Sequence, residues 1–379
     1  MHGARGSERL WDMEKVLSPG RPADFVGGLR RRYVAAIAVG ALLIPAAAAQ
    51  GATKDMFAGT PPKGLLKGVP EFATDNAFYP KRVTIHKGDR VSFQIAGFHN
   101  VLLPAKGSTP PQVFALDPST PVAGVKDAAG ADFWFNGQPS VGINPAAAAP
   151  TGGKSFDGSE TVGSGIPLAG PPKPMKLKFP KKGTYTVLCS IHPGMKGKVV
   201  VKGKKADIPT KKQDRKRIKK QSRAASKLAK KLVAGQGVPS GPTIKAGNDK
   251  KGVATIAFFP AKKTVKVGQP VTFTMSNKST ESHNVAFGPE AYAQELAQAF
   301  IGPAGLDART VYPSEPFGTA LVVGGTQHGN GYVNTGLLDD DKASPLPKSS
   351  AVSFSKPGTY QYYCIVHGAE MKGSITVTQ

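Results

Sequence analysis

The chain has 379 residues, enough for two or three ordinary domains, and its 40% content of hydrophobic residues excludes wholesale disorder. The 45 glycines and 33 prolines favour a loop-rich all-β protein over a helical one. The formal net charge of +25 predicts attraction to an anionic partner or surface.

The first 49 residues are predicted to be a leader followed by a secretory signal peptide. Three arginines at positions 30–32 precede an apolar run over residues 33–45, and small residues follow over 46–52. The run is short for a transmembrane span, and an uncleaved N-terminal anchor is the alternative. We therefore expect an exported protein that resides in the periplasm, at the cell surface or outside the cell.

The rest of the chain carries the same pattern twice. Residues 78–101 and 258–285 are both predicted as alternating strands that are broken by a glycine turn and lead into His-Asn-Val. The two copies also close alike, on a final pair of strands within residues 179–201 and 354–377. The sequence therefore predicts an internal repeat.

Short strands with Gly and Pro turns in each copy predict one β-sandwich per copy. The predicted fold is all-β, with two tandem Greek-key β-sandwich domains over residues 50–203 and 251–379. The long segments 104–175 and 288–350 are rich in Ala, Gly and Pro, and we expect them to be surface loops.

Residues 204–250 are predicted to be a basic helical segment followed by a Gly/Pro linker. Residues 202–231 contain fourteen Lys or Arg and two Asp, which is about half of the excess charge. Residues 211–233 lack Gly and Pro, and they carry a thin apolar stripe of Ile218, Ala225, Leu228 and Leu232. We expect residues 211–231 to dock an acidic redox partner, an anionic membrane surface or a cell-wall polymer; a solvated linker is the alternative. Nucleic acid is not an expected partner, since no aromatic residues interleave the basic run.

The two cysteines lie in loops of similar composition. Each follows a predicted strand and is followed three positions later by a histidine and then by a methionine, and each copy has a further histidine upstream. Two imidazoles, a thiolate and a weak axial thioether are the ligand set that copper takes in blue-copper sites. The candidate copper ligands are His99, Cys189, His192 and Met195 in the first copy, and His283, Cys364, His367 and Met371 in the second. A Cys189–Cys364 disulfide and a zinc site are the weaker alternatives, since thioether is a poor zinc ligand.

These motifs resemble those of the plastocyanin/amicyanin-like cupredoxin family. The Cys-x-x-His-x-x-Met loop of the first copy is similar to that of amicyanins, and the Met-Lys-Gly ending of the second copy is similar to that of plastocyanins. The resemblance implies two cupredoxin-like domains with one copper ion each. It also implies that Asn100 and Asn284 tie the ligand loops together by hydrogen bonds, and that His192 and His367 form the electron ports.

Three functions compete for this ligand set. We expect an electron carrier with two mononuclear type 1 copper sites that works by Cu(II)/Cu(I) cycling. Copper storage, delivery or resistance is the alternative. A copper oxidase or nitrite reductase is less expected, because the chain has no His-x-His pair and the residues before the two cysteines are Leu188 and Tyr363 rather than histidine. Of the other histidines, His86 is predicted to be an exposed strand residue, and His328 lies in a glycine-rich loop from which it could approach a site.

Overall fold

Two β-sandwiches and one long helix form the framework of the chain. The computed structural model describes residues 51–61, 64–65, 69–168, 170–302, 305–341, 344 and 346–379. The predicted leader and signal peptide of residues 1–49 lie outside the described residues. Within the part of the chain that is described, no helix is both long enough and apolar enough to cross a bilayer.

The first domain consists of two sheets that pack face to face. Its elements are β1 (Thr53–Ala58), β2 (Ala73–Asp75), β3 (Phe78–Tyr79), β4 (Arg82–His86), β5 (Arg90–Ile95), β6 (Leu102–Leu103), β7 (Phe114–Pro121), β8 (Pro139–Ile143), α1 (Pro145–Ala148), β9 (Val162–Gly163), β10 (Met175–Lys178), β11 (Gly183–Leu188) and β12 (Lys196–Lys202). One sheet has the order β10-β5-β1-β3 and the other has the order β4-β12-β11-β6-β9. Alternation along β12 buries Val199 and Val201 and exposes Lys198, so the inner faces of the two sheets form one core.

A helix of 23 residues, α2 (Lys211–Val233), follows the first domain. Thr210 and Gln213 form a capping box that satisfies the free backbone N–H groups at its start. Ile218 and Leu232 are buried, and Leu232 belongs to a small apolar cluster that includes Val253 of the second domain. The lysines and arginines of the helix all remain exposed.

Polar contacts fix the same helix to the first domain. Asp214 pairs with Lys54 at 2.8 Å, and both side chains are largely buried. The amide of Gln221 donates to the carbonyl of Phe78 at 2.9 Å and accepts from the backbone N–H of Lys81 at 3.0 Å. The helix therefore packs against both domains.

The second domain repeats the arrangement of the first. Its elements are β13 (Thr243–Ala246), β14 (Val253–Thr255), β15 (Phe258–Phe259), β16 (Lys262–Lys266), β17 (Val271–Met275), β18 (Ala286–Phe287), α3 (Glu290–Ala299), β19 (Ile301–Gly302), β20 (Gly305–Leu306), α4 (Ala308–Val311), β21 (Leu321–Val323), β22 (Val333–Asn334), β23 (Ser349–Phe354), β24 (Gly358–Tyr363) and β25 (Lys372–Thr378), with 3₁₀ turns at Gln327–Gly329 and Ile365–His367. Its sheets have the orders β15-β13-β17-β23-β21 and β16-β25-β24-β18-β22. The predicted all-β fold with two β-sandwich domains is confirmed.

One predicted boundary needs correction. β13 lies in the segment assigned to the linker, yet it pairs in parallel with β17 and antiparallel with β15. Ile244 and Ala246 of this strand are fully buried in the core of the second domain. The second domain therefore begins before residue 251.

The long middle segments are more than surface loops. The β7–β8 hairpin of the first domain carries Phe133 and Phe135 in its connection, and both side chains are buried. They share an apolar cluster with Leu296, Tyr332 and Leu337 of the second domain. The prediction of surface loops fails here because aromatic side chains from both segments make a third core between the domains. A short antiparallel pairing of β2 with β14 also joins the two domains.

Candidate metal centres

In the second domain, three candidate ligands come together at the end of β24. Cys364 follows the strand directly, His367 ends the 3₁₀ turn, and His283 precedes β18. The sulfur of Cys364 lies 3.6 Å from Nδ1 of His283 and 3.5 Å from Nδ1 of His367. One potential ligand atom from each residue lies within 4.8 Å of the other two. This spacing fits a single ion.

Met371 completes the second cluster from the start of β25. The backbone N–H of Cys364 donates to the carbonyl of Met371 at 2.9 Å, which closes the loop between them. The Met371 side chain is buried in the same apolar cluster as Cys364. The loop therefore carries thiol, imidazole and thioether together, with the cysteine and the methionine in one buried cluster.

The first domain places its four candidates in a similar arrangement, although among the described residues only the second-domain trio has its ligand atoms within 4.8 Å of one another. The sulfur of Cys189 lies 3.4 Å from Nδ1 of His192, and the rings of His99 and His192 are 4.5 Å apart between centroids. The N–H of Cys189 donates to the carbonyl of Met195 at 3.2 Å, and both side chains belong to the core of the domain. The structure thus brings together all four predicted residues in each copy.

The polar atoms of these residues fit a metal ion. Both cysteines are buried and free, which excludes the alternative of a disulfide. Both ring nitrogens of His99 and Nε2 of His283 are buried with no hydrogen-bond partner. Buried polar groups are normally paired, so such atoms call for a partner that the protein itself does not supply. A thiol, two imidazoles and a thioether match copper among the common metals.

Electrostatics favour the metal-binding forms of His99 and Cys364, but not that of His367. Burial acts to lower the pKa of His367, yet Cys364 and Glu281 outweigh it and raise that pKa to about 10. Burial, and then His192, lower the pKa of His99 to about 4, so its imidazole is neutral and has a free lone pair. Burial acts to raise the pKa of Cys364, but His283 and His367 outweigh it and lower that pKa to about 5. Cys364 is therefore a thiolate at neutral pH, the form that binds metals.

Two asparagines make the hydrogen bonds that the family resemblance implies. Asn100 accepts from the N–H of Ser190 at 2.8 Å and donates to its hydroxyl at 2.7 Å. Asn284 accepts from the N–H of Ile365 at 2.8 Å and donates to Asn334 at 3.0 Å. Each asparagine thereby ties the loop of the upstream histidine to the loop of the cysteine.

Sequence reasoning missed one glycine in each domain that makes room for the upstream histidine. Gly59 and Gly247 have positive φ angles of 75° and 74°. A Cβ at Gly59 would lie 2.9 Å from the ring of His99, and a Cβ at Gly247 would lie 2.9 Å from Nε2 of His283. These positions need glycine for both backbone conformation and space.

Glu281 and Asn76 also escaped the sequence analysis. Oε1 of Glu281 lies 3.4 Å from Nε2 of His192, and Oε2 lies 3.5 Å from Nε2 of His367. Asn76 donates to Oε1 of Glu281 at 2.6 Å. Burial acts to raise the pKa of Glu281, but the two histidines and Asn76 lower it to about 2, so the group is a carboxylate. The only sequence signal was an acidic residue two positions before His283.

The other two histidines in the described part of the chain, His86 and His328, lie away from the clusters. Nε2 of His86 lies 2.8 Å from the carbonyl of Ala206, so this residue is half-buried instead of exposed. His328 lies between Asp127 at 3.2 Å and Glu315 at 3.4 Å and contacts the ring of Phe133. His328 therefore does not approach either ligand cluster.

Comparison with known proteins gives matches to both domains. The family model of copper-binding proteins, plastocyanin/azurin family, matches residues 72–202 and 244–378. The plastocyanin of Rumex obtusifolius is 28% identical over 135 residues, which are 35% of this chain and 97% of that protein. The chloroplastic plastocyanin of Physcomitrium patens is 28% identical over 137 residues, which are 36% of this chain and 57% of that protein. The chain thus spans little more than half the length of this second relative.

A solved structure is also similar to part of the chain. It is a mutant plastocyanin of fern, studied in oxidized and reduced forms, with 26% sequence identity and a TM-score of 0.21. The match covers 36% of this chain and 99% of the fern protein.

Proposed function

Because the chain belongs to the plastocyanin/azurin family of copper-binding proteins, we propose that it is an exported electron carrier with two mononuclear type 1 copper sites. The proposed ligands are His99, Cys189, His192 and Met195 in the first domain, and His283, Cys364, His367 and Met371 in the second. Bound copper supplies a one-electron couple between Cu(II) and Cu(I).

One observation carries the proposal. The buried sulfur of Cys189 lies 3.4 Å from Nδ1 of His192, and that of Cys364 lies 3.6 Å and 3.5 Å from Nδ1 of His283 and His367. Each domain also has a buried histidine nitrogen without a hydrogen-bond partner, in His99 and His283. The loops that present these groups are fixed by Asn100 and Asn284. A fixed ligand set holds the ion in nearly the same geometry in both oxidation states, which suits electron transfer.

Copper content and absorption test the proposal directly. The exported chain should bind two copper ions and be intensely blue from thiolate-to-Cu(II) charge transfer. Cys189→Ser and Cys364→Ser should each remove one ion and leave the other site blue. A chain that binds one ion or none, or a colourless Cu(II) form, contradicts the proposal.

Copper storage, delivery or resistance is the second candidate, since the ligands are the same. The burial of both cysteines and both methionines supports retention of the ion over its transfer. Release of Cu(I) to a chelator separates the two functions. A carrier should hold both ions through repeated redox cycles, whereas a delivery protein should lose them to the chelator.

The chain is proposed to be a carrier and not an enzyme. In copper nitrite reductases and multicopper oxidases, a histidine directly before the copper cysteine connects the blue site to a second copper centre. Leu188 and Tyr363 occupy these positions here. Assays for oxidase and nitrite reductase activity of the copper-loaded chain test this point, and turnover with either substrate would contradict it.

We also propose that the basic face of α2 docks an acidic redox partner or an anionic surface. Eleven basic side chains of this helix are exposed: Lys211, Lys212, Arg215, Lys216, Arg217, Lys219, Lys220, Arg223, Lys227, Lys230 and Lys231. Fields from such clusters speed association with anionic partners and weaken as salt rises. The alternative is that the face is only solvated.

Replacing three exposed lysines tests this docking. The triple variant Lys216→Gln, Lys220→Gln, Lys227→Gln should keep both copper ions. It should bind more weakly to anionic vesicles or cell-wall polymer, or exchange electrons more slowly with an acidic protein, most clearly at low ionic strength. Unchanged association with the vesicles, the polymer and the acidic protein would contradict the docking proposal.

Cell fractionation with N-terminal sequencing tests the proposed export and whether the signal is cleaved.

A further inference from the structure

A single glutamate lies between the two ligand clusters. Nε2 of His192 and Nε2 of His367 lie 3.4 Å and 3.5 Å from the two oxygens of Glu281. Nδ1 of each imidazole faces the cysteine sulfur of its own cluster, at 3.4 Å and 3.5 Å. Each ring therefore reaches from its own thiol to the shared carboxylate, and one side chain contacts a ligand of each cluster.

This bridge is shielded from solvent and held from both domains. The side chains of His192, Glu281 and His367 are 7%, 12% and 17% exposed. Asn76 of the first domain donates its amide to Glu281 of the second at 2.6 Å, and its backbone N–H donates to Gly252 at 2.7 Å. Charges interact more strongly where water is excluded, so the carboxylate acts on both rings at short range.

We propose that Glu281 is a positioning residue common to both copper sites, which holds His192 and His367 by Nε2 and sets the reduction potentials of the two sites together. The inference rests on the proposed function. A carboxylate on the far nitrogen of a metal-binding imidazole fixes its tautomer and makes it a stronger ligand. The negative charge also stabilises the more positive, oxidised form of a site. Its removal should therefore raise both potentials.

The main test replaces Glu281 by its neutral isostere. Glu281→Gln is combined with Cys364→Ser or with Cys189→Ser, so that each copper site of the full chain is measured alone. We expect the ratio of reduced to oxidised protein at a fixed potential to rise about tenfold at each site, equivalent to about 59 mV. Glu281→Asp keeps the charge and should return both potentials toward the unsubstituted values. The matched control Glu370→Gln removes an exposed carboxylate from the second ligand loop only and should leave the first site unchanged.

The outcomes separate this inference from the proposed function. A blue Glu281→Gln protein in which neither potential moves, or only one, overturns the shared role of Glu281. An unsubstituted chain that binds no copper contradicts the proposed function instead.

A second test uses the copper-free chain, so that its result does not depend on how much copper the protein has bound. In histidine ¹H–¹⁵N spectra, the Nε2 signals of both His192 and His367 should shift in Glu281→Gln. They should also shift in Asn76→Ala, which removes the amide that orients the carboxylate, so the test survives if one variant fails to fold. Movement of one signal alone would mean that the carboxylate does not join the two rings.

Discussion

At the scale of single residues, Asn284 shows how the ligand loops are held. Its side chain is completely buried, and it accepts from Ile365 and donates to Asn334. Asn334 is buried as well and donates to three carbonyls of the segment around α4. A chain of amide hydrogen bonds therefore runs from the cysteine loop into the inserted segment of the second domain.

Asn284→Ala should destabilise the metal-free protein. The substitution leaves the N–H of Ile365 and the oxygen of Asn334 buried without their partner, which costs about 1–3 kcal/mol for each such group. Urea unfolding of the copper-free chain measures the loss. The exposed Asn277→Ala on the same domain is the control and should change the free energy of unfolding by less than about 0.5 kcal/mol. Equal effects of the two substitutions would contradict this role of Asn284.

The eight candidate ligands were predictable from sequence because their chemistry is local. Cys189 and His192 lie on one loop, and the same spacing at Cys364 and His367 marks the second site. Glu281 was not predictable in this way. Its contact with His192 joins residues of different domains, and only the packing of those domains brings them together.

At the scale of elements, α2 has two chemically different faces. Its apolar stripe packs onto the protein through Ile218 and Leu232, while its lysines and arginines point outward. Composition predicted the extent of this segment. The packing of its stripe depends on contact with Val253, and its attachment to the first domain depends on the pair of Asp214 with Lys54. The local sequence encodes neither contact. Deletion of the helix would therefore remove structure together with charge.

The variant Leu232→Ala tests the apolar face of α2 independently of its basic face. The side chain is 4% exposed, and truncating a buried leucine costs about 2–5 kcal/mol. We expect a lower melting temperature and unchanged salt-dependent association with anionic vesicles. Lys216→Ala, at an exposed position of the same helix, should leave the melting temperature unchanged. A melting temperature that Leu232→Ala does not lower would show that the apolar face contributes nothing to stability.

The β2–β14 pair contains an acid that gives the interface a pH dependence. Asp75 lies opposite Val253, and its Oδ2 is buried without a hydrogen-bond partner. Burial raises the pKa of Asp75 from 3.8 to about 7. Between these values the native state binds the proton more tightly than the unfolded state does, so this group makes stability fall as pH rises from about 4 to 7.

Asp75→Asn should remove that dependence. The free energy of unfolding of the variant, relative to the unsubstituted chain, should increase by about 1–4 kcal/mol between pH 4 and pH 8. Urea unfolding at a series of pH values measures the difference. A constant difference across this range would show that Asp75 ionises normally in the folded protein.

At the scale of the whole molecule, the two domains are joined by a shared apolar core as well as by the chain between them. The cluster around Phe133 and Phe135 takes its other buried members from the second domain, most of them from residues 288–350. Phe135 stacks on Phe133 at 4.8 Å and on Tyr312 at 5.6 Å. The two sandwiches were predictable because each has its own alternating strands and glycine turns. The shared core was not, because its apolar residues show no regular period within segments dominated by Ala, Gly and Pro.

Phe135→Ala should weaken the packing between the two domains. Truncating a buried phenylalanine costs about 3–5 kcal/mol, and the loss here falls on the contact between the domains. We expect a lower unfolding midpoint and faster protease cleavage within residues 113–143. Leu116→Ala on the same hairpin is the control, since that side chain is 55% exposed and should change neither quantity. Cleavage that stays as slow as in the unsubstituted chain would contradict a stabilising role of the hairpin.

The shared aromatic core also bears on how such a chain can change over generations. A doubled gene starts as two interchangeable halves, and either half can be lost or swapped by recombination. Phe133 and Phe135 of one half pack against Leu296 and Tyr332 of the other. A crossover between the halves would therefore leave an exposed apolar surface on each product. The hairpin therefore couples the two halves, so that substitutions in one half are constrained by the other.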